Sequence, residues 1–71
     1  MGYGYGNSSA GNPPRGISVF IEIVEDENGN LIGYCVAMVS PPHKRLSAIF
    51  ITEIEAIDWA ATNGYAIHPR P

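Results

Sequence analysis

The chain has 71 residues and a net charge of −3, with four Lys and Arg against seven Asp and Glu. That length makes one small domain, which buries only about 60% of the surface its unfolded chain exposes and gains from a disulfide, a metal or a second copy. A single cysteine, Cys35, excludes an internal disulfide, and so few cations argue against neutralising the many phosphates of a nucleic acid.

No apolar run reaches the roughly 18 residues of a membrane span, and no basic-then-apolar leader opens the chain. The expectation is a protein of the reducing cytosol without a signal peptide.

Residues 1–16, MGYGYGNSSAGNPPRG, are rich in glycine and almost devoid of aliphatic side chains. Such a segment buries too little apolar area to offset its ordering entropy, so it reads as a flexible tail preceding a domain over 17–71. Its GYGYG run follows no strand and opens no helix, as a phosphate loop would have to. From Ile17 the pattern changes to ISVFIEIVE, with Ile17, Val19, Ile21 and Ile23 on one face. Alternation among β-branched residues predicts a strand.

DENGN follows, then LIGYCVAMVS. Asn-Gly is a strong hairpin signal, because a two-residue type I′ turn needs positive φ at both central positions. With Asn28-Gly29 as that turn, Ile23 faces Tyr34, Ile21 faces Val36 and Val19 faces Met38. All three pairs are apolar and share a face, so turn and pattern agree on one register. The opposite face sets Ser18, Phe20, Glu22 and Val24 against Val39, Ala37, Cys35 and Gly33. That face is more apolar than a solvent-facing one, so either another part of the chain covers it or a second copy does.

Pro41-Pro42 interrupts the second strand, and LSAIFI at 46–51 predicts a third. Thr52 and Glu55 then form a T-x-x-E capping box, with Glu53, Glu55 and Asp58 placed early, where the helix dipole favours anions. At about 100° per residue, Ile54, Ile57, Ala60, Ala61 and Ala56 share one broad face, with Trp59 at its edge. Asn63-Gly64 predicts the stop. The final YAIHPRP can add a short edge strand limited by Pro69.

The chemistry-bearing residues assemble no site. Glu53 and Glu55 serve the cap and the dipole, and Glu22 is a half-exposed strand residue rather than the third member of a two-metal cluster. Cys35, His43 and His68 match no zinc spacing. Cys35 lies mid-strand among apolar neighbours, where a thiol is inert. DENG lacks the later ligands of a calcium loop. The expectation is therefore no catalytic residue, no metal and no cofactor.

The run Phe50-x-Thr52-x-x-Glu55-Ala56-x-x-Trp59-Ala60 resembles the strand-to-helix junction of three-stranded-sheet-plus-helix modules, such as the arm-type DNA-binding domains of phage integrases and the plant AP2 domains. Those families read DNA with basic and aromatic residues on the exposed sheet face, where this chain has Ser18, Phe20, Glu22 and Val24. DENGNLIG with TEIEAIDWAATNG is also similar to the hairpin and first helix of ribonuclease H-like domains. That likeness implies a truncated, inactive version, with Glu53 or Glu55 at the helix carboxylate and Glu22 where an aspartate is expected.

The fold expected is α+β: an antiparallel sheet of three strands, or four with the last segment, and one helix packed on one face. The function expected is a non-enzymatic, acidic protein-binding module that self-associates and regulates or inhibits another protein. The alternative is a nucleic-acid-associated module of the kinds just named. One helix covers one face, so the Phe20 face would be left for a homodimer or another protein. Its interface would comprise Phe20, Val24, Cys35, Ala37 and Val39, with Trp59 or the final Tyr65-Ala66-Ile67 segment at the rim.

Overall fold

The computed structural model describes residues 16–71; the tail expectation for the preceding residues lies outside them. Two eight-residue strands, β1 (Ser18–Glu25) and β2 (Leu31–Met38), are followed by helix α1 (Glu53–Thr62) and a two-residue strand β3 (Ala66–Ile67). The sheet order is β2-β1-β3, so the first strand is central. This is a small α+β domain, as the pattern implies.

β1 and β2 pair antiparallel in the expected register, with Val19 opposite Met38, Ile21 opposite Val36 and Ile23 opposite Tyr34. The turn that sets this register is not the expected one. Among the described residues His43 is the one non-glycine with positive φ, so Asn28 does not adopt the type I′ conformation. Instead Gly29, at φ +83°, donates to the Asp26 carbonyl at 3.0 Å, and the Asp26 N–H donates to the Asn30 carbonyl at 2.9 Å. Three residues thus form the loop, as in a type I turn closed by a glycine bulge. The Asp26 carboxylate selects it by accepting from the Asn28 and Asn30 N–H groups at 2.8 and 2.9 Å. A register shift between Val24 and Glu25 then restores the alternation.

The expected third strand over 46–51 does not form a continuous ladder. Two isolated antiparallel bridges, Arg45 to Ala37 and Phe50 to Tyr34, tie this segment to the outer edge of β2. Between them β2 advances three residues and the facing chain five, so regular pairing is lost. Leu46 N–H still donates to the Val36 carbonyl at 2.8 Å, and the Ser47 hydroxyl accepts from the Val36 N–H at 3.0 Å. A side chain replaces the backbone partner that a true strand would have supplied.

α1 begins and ends where its sequence signals lie. The Thr52 hydroxyl accepts from the Glu55 N–H at 3.3 Å, and the Glu55 carboxylate accepts from the Thr52 N–H at 3.2 Å. At the other end Gly64, at φ +81°, donates to Ala61, and Tyr65 donates to Ala60, each at 3.1 Å. This double bond is the Schellman termination.

The helix lies on the Val19 face, and its buried residues are Ala56 and Ala60 alone. Ile54, Ile57 and Ala61, expected on the buried face, are exposed. The sheet touches a narrow stripe centred on the small alanines, which let backbone approach backbone. Trp59 flanks the stripe, half-buried against Phe50 and Tyr65 at ring-centre distances of 6.4 and 5.8 Å. The core is Val19, Ile21, Val36, Ala56 and Ala60; each of its three larger side chains contributes about 1.5–3 kcal/mol by leaving water.

Ile23 was also expected beneath the helix but is 44% exposed. A ten-residue helix is about 15 Å long and an eight-residue strand about 27 Å, so one end of β1 outruns its cover.

The last strand corrects the expectation of a purely antiparallel sheet. β3 runs parallel to β1, with Ser18 opposite Ala66 and Val19 opposite Ile67. The segment paired to β2 runs parallel to β1, and the helix carries the chain back, so β3 re-enters in the direction of β1. Ala66 and His68 donate to Ile17 and Val19 carbonyls at 3.0 and 2.8 Å. Pro69 takes the next outward-facing position and offers no N–H there, which blunts the outer edge.

Candidate functional site

The face opposite the helix was expected to lie open. In the single chain it is covered: Phe20, Val24, Cys35 and Ala37 are all at most 7% exposed. The cover is the chain between β2 and α1. His43 sets its ring edge-on to Phe20 at 5.4 Å between centroids and contacts the Met38 carbonyl through Nδ1 at 3.0 Å, holding a left-handed backbone at φ +62°. Arg45 reaches across to Glu22 with two hydrogen bonds of 2.9 and 3.1 Å. The Cys35 thiol donates to the Ser47 carbonyl at 3.3 Å. Ile49 lies over Gly33 so closely that a Cβ at that glycine would stand 2.7 Å from Ile49 Cγ2.

A contact through Phe20, Val24, Cys35 and Ala37 would first have to peel this segment away. Val39 is half-buried, and so are Trp59 and Tyr65. Those two aromatics stack on each other beside the helix rather than at the rim of the Phe20 face.

The carboxylates are dispersed. Glu22 lies on the Phe20 face, whereas Glu53 and Glu55 start the helix on the other, so the sheet separates them. The Arg45 guanidinium, chiefly by hydrogen bonding, holds the Glu22 carboxyl below its ordinary range, and Glu22 in turn raises Arg45. Glu53 pairs with Arg70 at 2.8 Å. The backbone N–H groups of Asn30 and then Asn28 hold Asp26 low as well. Both ion pairs are partly exposed, a setting in which such a pair contributes about 0–1 kcal/mol. Among the described residues no three His, Cys, Asp or Glu side chains gather in a metal-ligating group. No helix described is long and apolar enough to cross a membrane.

What the surface does present is apolar. Large exposed side chains lie toward one end of the domain, Leu31 and Ile49 on the Phe20 side of the sheet and Ile23, Ile32 and Ile54 on the helix side, with Ile51 at the junction. Their proximity follows from the register. Ile23 faces Tyr34, Leu31 and Ile32 lie just beyond, and Phe50 bridges to Tyr34, so Ile49 and Ile51 flank that level. The helix begins there, and Ile54 sits in its first turn. Ile51 and Ile54 are 83% and 76% exposed.

The sequence contains a local signal for this surface, at the residue before the N-cap. Ile51 precedes the N-cap, where an apolar residue usually packs on the fourth helical position. That position is Ala56, turned into the core, so Ile51 has no partner of matching size there.

No protein-family model, no curated protein and no solved structure matches the chain.

Proposed function

We propose that this chain is a small, non-enzymatic, acidic protein-binding module that regulates another protein by docking it on the end where the hairpin tip meets the start of the helix. The observation that carries the reading is the crowding of exposed isoleucines and Leu31 at that one end, on a domain whose two sheet faces are otherwise covered. Isolated surface apolars are ordinary, and it is their gathering toward one end of the domain, on both sides of the sheet, that supports a contact site there.

The charge balance supports a protein rather than a nucleic acid as partner. Arg45 and Arg70 are each engaged by a carboxylate, which leaves Lys44 as the cation without an ion pair among the described residues. Phosphate binding would require several such cations on one surface.

The test is differential capture from an extract of the native host. The full chain and an Ile51→Asp/Ile54→Asp variant are compared, with Ile67→Asp as a control at the distant β3 edge. A protein retained by the parent chain and by the control, and lost from the double variant, is the expected result. Identical captured sets for all three would refute the reading.

A further inference from the structure

The chemistry of the partner follows from the charge around that end; this step rests on the binding reading above. Glu25, Asp26 and Glu27 form the exposed hairpin tip, and Glu53, Glu55 and Asp58 lie on the helix that carries Ile54. Arg70 offsets one of them by pairing with Glu53. The other described cations are remote, since Lys44 and Arg45 pair with Met38 and Ala37, toward the opposite end of β2. Carboxylates thus outnumber cations at the end of the domain that carries the exposed apolar residues, at the hairpin tip and along the helix.

A second copy is a poor occupant. A two-fold contact brings one patch against itself, and here that would set the same acids face to face across a drying interface. We propose that the surface takes a cationic amphipathic segment of another protein, its apolar side chains seated on Ile51 and Ile54 and its Lys or Arg side chains reaching the hairpin-tip carboxylates and Glu55. Apolar contact supplies affinity in this arrangement, while the acidic border steers and selects.

Two synthetic peptides of equal length test this against the isotope-labelled full chain by NMR titration. One is an amphipathic Leu/Lys helix former; the other replaces every Lys with Glu. The Lys peptide is expected to shift the resonances of Ile23, Leu31, Ile32, Ile51 and Ile54, and to bind at least about tenfold more tightly than the Glu peptide. Raising salt from about 50 to about 500 mM should weaken the Lys peptide several-fold, because the border charges are exposed and screened.

Ile51→Asp/Ile54→Asp should cost about tenfold or more in affinity. Both positions are exposed, and a thermal melt is the check that this variant folds. Glu25→Lys/Glu27→Lys, which leaves the apolar group intact, should erase the preference between the peptides. Equal binding of the two peptides, or shifts centred on Lys44, would overturn the proposal. Concentration-dependent sedimentation abolished by Ile54→Asp would also overturn it, replacing the cationic partner with a second copy while the protein-binding reading survives. That reading fails separately, when host capture is indifferent to Ile51 and Ile54.

Discussion

Replacing Gly33 with alanine probes the segment that closes the Phe20 face. The new Cβ would stand 2.7 Å from Ile49 Cγ2 and closer still to the Phe50 carbonyl oxygen. A rotamer change can relieve the first contact. The second is with backbone, so the chain at Phe50 must withdraw from β2. Phe50 and Tyr34 exchange two backbone hydrogen bonds of 2.8 and 2.7 Å, and withdrawal stretches both. Overpacking costs about 1–3 kcal/mol and each weakened bond up to about 0.5–1.5, with partial overlap, so the expected loss is about 2–4 kcal/mol.

A domain of this size holds only about 3–5 kcal/mol in all, so the variant should lose from about two fifths to all of its stability. Urea unfolding followed by fluorescence of Trp59, which packs against Phe50, reads this directly. With a slope near 1 kcal/mol per molar, the midpoint should fall by about 2–4 M, the larger value bringing the chain to the edge of unfolding in water. A midpoint within about 0.5 M of the parent would refute the argument. Trimming Ile49 to alanine in the same background should restore only a minor part of the loss, because the backbone oxygen remains. Full recovery would show that the side chain, not the backbone, sets the limit.

Three further outcomes are expected. Ala60→Leu should destabilise by about 1–3 kcal/mol in a thermal or urea melt, because Ala60 is fully buried where the helix meets the sheet. Ala61→Leu, on the exposed side, should stay within about 0.5 kcal/mol, and equal effects at the two positions would contradict the helix orientation. Thr52→Ala should cost about 1 kcal/mol through the lost capping box, seen as a Tm lower by about 4–8 °C, whereas an unchanged Tm would mean the cap contributes nothing. Glu22 and Asp26 have carboxyl pKa values lowered from their ordinary 4.5 and 3.8. Their stabilisation is therefore complete above those values and is lost as pH falls through the lower folded-state values. Urea midpoints measured down an acid series should show this limb, and Glu22→Gln with Asp26→Asn should flatten it; an unaltered limb would place its origin elsewhere.

Wherever a few neighbouring residues decide the structure, the sequence alone determined it. Alternation in β1 and β2 names the faces, and an apolar match across the hairpin admits one register, which survives even though Asp26 draws the turn into a three-residue loop. Thr52, Glu55, Asn63 and Gly64 bound the helix because caps are satisfied within one turn. Pro69 blunts the outer edge beside the last strand because it offers no outward donor.

The tertiary structure decided which segment covers which face. Periodicity marks Phe20, Val24, Cys35 and Ala37 as one apolar face, but nothing local says that the irregular chain from His43 to Phe50 will fold over it and bury it. The same holds for the candidate surface. Ile54 and Ile57 lie on the apolar arc of the helix, yet close approach through Ala56 and Ala60 rotates that arc partly into solvent, and a short helix leaves Ile23 uncovered. Helical period fixes which residues lie together; the depth and direction of contact depend on side-chain size in elements distant along the chain.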